Sequence, residues 1–319
     1  MKNARLDKTE TASEPSALLD DIARVIKIAA ENVDYRGNSI TFPSNYGTTR
    51  ILGNSVHVPT TDGRELSDVI SIRTELPEQW SSAMDDGFMV WFNTMAALGA
   101  LVRERDSGRL IVASRLTTYR GDEDARWLHI PLAAFAALLQ DDALILAFTK
   151  SMRAETRRLD IPRREDPSRW SEEDFVSAAE QLKQMGVFST PGDTGLTAEI
   201  PLNPGGLSAV LGDVTSLLTF QTDMPHPTLG NGLFHKLELP FHFEEDRLVT
   251  LANRLNQMEI ESMDSPPFFG AWCSQLGKQS RIAFVGFCLI FSTSQGRCSG
   301  LPYGCSTGTA KLWPSSTTA

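Results

Sequence analysis

Arg73-Thr74-Glu75-Leu76-Pro77 and Lys236-Leu237-Glu238-Leu239-Pro240 are one phrase written twice. Each is followed by an Asn-Xaa-Met, first as Asn93 and Met95 and then as Asn256 and Met258. Every pair is separated by 163 residues (236 − 73, 256 − 93). Like-for-like residues kept in one register across a strand, a turn and a helix signal two copies of one supersecondary unit. A duplicated domain is therefore the first expectation.

Reading outward from the first phrase, Pro15 opens a pattern in which Leu18, Leu19, Ile22, Val25, Ile26 and Ala29 share a helical face. Strand signals follow near Ser39–Phe42, Arg50–Val58 and Val69–Leu76, parted by turn chemistry at Asn45–Gly47 and Asp62–Gly63. A second helix is predicted over Ser81–Leu98, then a hairpin around Asp106–Gly108 and a last Ala- and Leu-rich helix from Pro131 to Met152. The order is α-β-β-β-α-β-β-α. Around the second phrase the same order returns. A helix starts after Ser171 and closes at Gly186, and strands fall near Leu196–Leu202, Val214–Thr222 and Gly232–Leu239. A long helix over Phe243–Ser262 precedes strands near Phe268–Ser274 and Arg281–Ile290. Arg109 aligns with Arg281 at an interval of 172 (281 − 109), which places an insertion of 9 residues around Pro266–Trp272. The predicted class is α+β, two tandem copies with helices packed on an antiparallel sheet.

Domain boundaries follow from composition. Residues 1–14 are polar and expected to be disordered, 15–152 form the first copy and 171–291 the second. The charged segment 153–170, holding Pro162 and Pro167, reads as a linker. The tail 292–319 has no period and is expected to be disordered. A frameshift or an alternative end near residue 287 would account for it.

A chain of 319 residues suits two domains, and its net charge of −10 disfavours a nucleic-acid surface or an anionic membrane. The start of the chain lacks the apolar stretch of a signal peptide, and no run approaches the ~20 apolar residues needed to span a bilayer. The four cysteines crowd the last fifth, where a disulfide scaffold would spread them through both copies. A cytoplasmic location is the resulting expectation.

The element order, the long helix across a sheet, and Asn93 and Asn256 inside the central helices resemble YbjN-type bacterial proteins. These are similar in fold to type III secretion chaperones. The resemblance covers nearly the whole chain as two tandem copies. It implies a five-stranded sheet per copy, a chaperone-like or adaptor role, and a dimer fused into one chain.

Leu-Pro at 76–77 and 239–240 should end a strand, because proline cannot donate to a ladder. Arg73 with Glu75 and Lys236 with Glu238, each two apart, should share one polar sheet face. Asn93 and Asn256 are poor helix formers placed among apolar neighbours. A buried amide tying the helix to the next loop explains them, and so does a polar anchor for a ligand. His226 in the Asp223–Pro227 loop is a third polar anchor. His226, His235 and His242 with Cys273 match no compact ligand spacing, so no metal and no cofactor are expected. Gly230-Asn231-Gly232 lacks the third glycine of a phosphate cradle, and no nucleophile motif is present. No catalytic residue is assigned.

Trp91 and Phe92 on the second helix, with Phe268, Phe269 and Trp272 in the insertion, form the predicted partner-binding surface, since aromatics bring contact area at low entropy cost. The preferred function is a non-enzymatic, chaperone-like or adaptor protein that binds a protein or peptide, as a monomer with an internal pseudo-dimer or as a homodimer. The alternative is a small-molecule-binding regulator or enzyme with a pocket between the copies near Asn93, Asn256 and His226. A purely structural relic is the third reading.

Overall fold

The computed structural model describes residues 15–44, 47–59, 65–95, 98–121, 129–139, 172–184, 186–202, 214–226, 230–242, 244–261, 270–275 and 281–289. The expected disordered ends 1–14 and 292–319, the linker 153–170, and Phe268 and Phe269 lie outside these residues. In chain order the elements begin α1 (Ala17–Ala29), β1 (Asp34–Arg36), β2 (Ser39–Pro43), β3 (Thr48–Pro59) and β4 (Glu65–Glu75). The short helices α2 (Glu78–Ala83) and α3 (Asp86–Phe92) follow, with a 3-10 turn at Asn93–Met95, then β5 (Ala100–Arg103) and β6 (Leu110–Tyr119). A further helix, α4, covers 129–139. The second half holds α5 (Glu172–Gln184), β7 (Phe188–Gly192), β8 (Gly195–Leu202), β9 (Val214–His226), β10 (Gly230–His242), α6 (Glu245–Glu261), β11 (Ala271–Gln275) and β12 (Arg281–Leu289).

The strands form two antiparallel six-stranded sheets, ordered β1-β2-β3-β4-β6-β5 and β7-β8-β9-β10-β12-β11. The two orders are the same once each strand is matched to its counterpart. Each copy thus has four strands before its central helix, where the sequence showed three. The missed strands are β1 and β7. Both are short edge strands with exposed residues, and Pro191 in β7 suits only an edge.

One cross-sheet row shows how closely the copies correspond. Ile40, Ile51, Ile72 and Ser114 lie side by side in the first sheet, and Leu196, Phe220, His235 and Gly286 in the second. The intervals are 156, 169, 163 and 172 in turn (196 − 40, 220 − 51, 235 − 72, 286 − 114). The repeat therefore drifts at several loops, not at one. The first helices match as well. Leu19, Ile22, Ala23 and Ile26, four of the five buried residues of α1, match Phe175, Ala178, Ala179 and Leu182, the buried set of α5, again 156 apart (175 − 19, 182 − 26). Close approach of α1 depends on Gly53, where a Cβ would come within 3.0 Å of Leu19 Cδ1. In each copy the first helix and the buried row share one core cluster, and α4 adds Ala133, Ala134, Ala136 and Ala137 in the first.

Three local expectations are corrected. The predicted helix over Ser81–Leu98 is broken: Met84 is extended, and the Asp85 carboxylate caps a new start by accepting from Phe88 N at 2.7 Å. Leu-Pro ends the strand in the first copy only. In the second, β10 runs on to His242 across a register shift between Glu238 and His242, so Pro240 falls where no donor is required. The insertion is also divided. Asn93 and its partner Leu101 are 8 residues apart and Asn256 and Trp272 are 16, so eight residues precede β11. Trp272 is then the counterpart of Leu101 inside a strand, not part of the inserted segment. β12 stays paired with β10 through Leu289, past residue 287.

His235 stands where the first copy has Ile72. It is 2% exposed, its ring lies between Phe220 and Phe284 at centroid distances of 6.4 and 5.9 Å, and neither ring nitrogen has a hydrogen-bond partner among the described residues. A buried imidazole without partners is a net cost that an aliphatic side chain avoids. His235→Ile is expected to stabilise the chain by about 1–2 kcal/mol. A urea denaturation midpoint that falls in the variant would contradict this account.

Candidate functional site: the junction between the copies

Asn93 and Asn256 are both fully buried, and both do the same thing. Asn93 Nδ2 donates to Leu101 O at 3.0 Å, and Leu101 N donates back to Asn93 Oδ1 at 2.8 Å. Asn256 Nδ2 donates to Trp272 O at 2.8 Å, and Trp272 N donates to Asn256 Oδ1 at 2.7 Å. β5 and β11 are the edges of their sheets, so each amide imitates a neighbouring strand for one residue. The side chains occupy different helical positions, however. Asn256 is inside α6, while Asn93 sits where α3 tightens into the 3-10 turn.

These clasps fix the ends of the central helices over the junction between the copies. α3 packs on α6, and β5 lies beside β11 without pairing to it. α6 rests on β5 and β6, and the 3-10 turn after α3 rests on β11 and β12. Exchanging each element for its counterpart returns the same set of contacts, the mark of an isologous, two-fold interface. Val90, Ala100, Val102, Ile111 and Ala113 of the first copy share one buried cluster with Leu248, Ala252 and Trp272 of the second.

Polar ties across the junction break that symmetry. Asn253 Nδ2 donates to Asp86 O at 3.4 Å and Gln257 Nε2 to Arg103 O at 3.2 Å. Arg115, whose side chain is 3% exposed, donates through Nη1 to Glu259 O, and its Nη2 lies 3.6 Å from Glu259 Oε2. The residue aligned with Arg115 in the second copy is Phe287, at the interval of 172 (287 − 115), and it is buried against the core of the first copy. Burial raises the Glu259 pKa above the usual carboxylate value, against the opposing pull of Arg115 and, less, of the Trp272 side chain. The tie therefore exists on one side of the pseudo-axis only.

Other predicted site residues are placed as follows. Trp91 is 40% exposed, whereas Phe92 and Trp272 are core residues and cannot form the surface assigned to them. His226 ends β9. His235 and Cys273 lie on opposite faces of the second sheet, and among the described residues no group of His, Cys, Asp or Glu could hold a metal. Cys273 is a buried free thiol whose pKa is pushed up to about 12 by burial, with Lys236 opposing. Lys236 pairs with Glu238 at 2.9 Å, but Arg73 and Glu75 turn instead to Glu104 and Arg109, each at 3.3 Å. Arg115 and Glu259 escaped the sequence reading because they have no counterparts in the repeat. No helix among the described residues is long and apolar enough to cross a membrane.

No family model, no curated protein and no solved structure matches this chain.

Two predictions test this geometry. Asn93→Ala or Asn256→Ala strands a buried N–H and a buried C=O at a sheet edge, and each should cost about 2–4 kcal/mol in urea denaturation. A loss below about 1 kcal/mol would show that the clasp is dispensable. For Glu259 the folded pKa is raised, so the folded state holds its proton more tightly than the unfolded chain. Its contribution to stability is full below the unfolded value, near 4.5, and is lost as pH rises through the folded pKa. Denaturation midpoints of Glu259→Gln should lack this decline, and identical pH profiles for variant and wild type would refute it.

Proposed function

We propose that the chain is a non-enzymatic, chaperone-like or adaptor module, a pseudo-dimer in one chain that binds a protein or peptide partner. The observation that carries the reading is the division of labour around the junction. Asn93 and Asn256 are committed to holding backbone, while α3 turns Trp91, tilted against Phe88 at a ring-centroid distance of 5.6 Å, toward solvent. A large aromatic beside an otherwise closed apolar core is the kind of residue that anchors a partner. The resemblance to YbjN-type proteins and secretion chaperones supports the same class. A small-molecule pocket between the copies would rely on Asn93 and Asn256, whose amides are already engaged at both ends.

The test is capture of partners by the tagged full chain from its native lysate, followed by reconstitution with the purified candidate. A protein that binds the purified chain at fixed stoichiometry is the expected result. Absence of any partner that survives reconstitution overturns the reading.

A further inference from the structure

The two copies differ most in their central helices. The second has α6, an unbroken helix of 17 residues, while the first has the elbow of α2 and α3. The elbow holds Trp80, Met84 and Phe88 as partly buried side chains over a small cluster of Leu76, Met89, Phe92, Leu101, Leu110 and Val112. Trp91 extends this row. At the interval of 163, Met84 and Trp91 correspond to Arg247 and Arg254 (247 − 84, 254 − 91), while Trp80 and Phe88 correspond to the apolar Phe243 and Leu251, so in the second copy two cations interrupt the row.

The charge around the elbow is one-sided. Residues 76–99 contain Glu78, Asp85 and Asp86 and no Lys, Arg or His. All three acids are exposed. The nearest cation on the adjoining hairpin, Arg103, is spent on the elbow's own backbone, donating to Ser81 O at 2.8 Å and Met84 O at 2.6 Å. Arg109 is paired with Glu75. α6, which packs on α3, adds Glu244, Glu245 and Asp246 at its start against Arg247 and Arg254. The rim stays acidic, around side chains that include two tryptophans and an adaptable methionine.

We infer that the α2–α3 elbow is the seat of a cationic amphipathic peptide segment whose apolar anchor lies along Trp80, Met84, Phe88 and Trp91. The inference rests on the partner-binding reading above and adds the seat, the chemistry of the occupant and the stoichiometry. Lysine or arginine flanking the anchor meets Glu78, Asp85 and Asp86, and the acidic rim disfavours anionic segments. Because Arg247 and Arg254 interrupt the row in the second copy and would repel a cationic segment, the chain offers one such seat, not two.

The experiment uses the full chain and two labelled peptides of about 18 residues, roughly five helical turns. One repeats Leu and Lys at helical spacing, and the other carries Glu in place of Lys. Fluorescence anisotropy should show one Lys peptide bound per chain and at least tenfold weaker binding of the Glu peptide. Trp91→Ala should weaken binding by about tenfold or more. The shape-preserving double variant Glu78→Gln, Asp86→Asn should weaken it roughly threefold to tenfold and flatten its salt dependence. Ile28→Ser, which removes an exposed apolar residue of α1, should change nothing. Equal binding of both peptides, no binding of either, or Lys-peptide affinity within twofold of wild type in Trp91→Ala overturns the elbow assignment. A partner captured and reconstituted equally well by Trp91→Ala would keep the adaptor reading and discard only the elbow.

Discussion

A side-chain amide that replaces a strand is the constraint on which the centre of this molecule depends. β5 and β11 are the last strands of their sheets and lie side by side, and an open edge there would present unpaired backbone to its neighbour. Asn93 and Asn256 fill one N–H and one C=O of each edge from within the chain. Two results follow from the same four hydrogen bonds. The sheets stay separate instead of joining, and each central helix is held at a fixed height over its own edge strand. At that height the helix ends reach across onto the other copy's last two strands. The interface between copies is thus built from the same helix positions that close each domain.

The polar ties across the junction do not follow its two-fold pattern. A pair of first copies would lack the carboxylate, since Ala96 is the residue aligned with Glu259, and a pair of second copies would lack the guanidinium, since Phe287 is aligned with Arg115. Either arrangement buries a charge without its partner, which costs several kcal/mol. Only the first copy against the second brings the guanidinium and the carboxylate together. Burial raises the Glu259 pKa against the attraction of Arg115, in keeping with the rule that removing one partner of a buried ion pair costs more than the intact pair contributes. His235 in the place of Ile72 is a second departure, and one with no compensating bond among the described residues.

The sequence carried the likeness of the two halves well and its details less well. Arg/Lys-Xaa-Glu-Leu-Pro and Asn-Xaa-Met survive in register because β4, β10 and the central helices share one interval, uninterrupted by loops of changing length. The first helices and their neighbouring strands were hidden from that register by the longer β8–β9 connection and the shorter β9–β10 connection. β1 and β7 were missed for a different reason. Three residues, Asp34-Tyr35-Arg36, carry no alternation to read, and Phe188-Ser189-Thr190-Pro191-Gly192 reads as a turn. The break at Met84–Asp85 lay within an apolar pattern of helical period, which a periodicity reading joins into one helix. Asn93 and Asn256 were legible as unusual residues, but only the geometry separates a backbone clasp from a ligand anchor. Arg115 and Glu259 left no signal, because nothing in one dimension pairs residues 144 apart.

The asymmetry also bears on what two like units in one chain can do that a homodimer cannot. In a homodimer every substitution appears twice, so an aromatic elbow gained on one face is gained on both, and so is any defect it brings. Here the elbow and the long helix occupy equivalent places in one chain, which separates their duties. α6 keeps the uninterrupted helix whose Asn253, Gln257 and Glu259 tie the copies together. α2 and α3 carry none of those three side chains, having Val90, Thr94 and Ala96 at the aligned positions. Released from that duty, the first copy can break its helix and turn Trp91 outward without loosening the junction. The exposed Trp91 is therefore found on the copy whose helix carries none of those three side-chain ties.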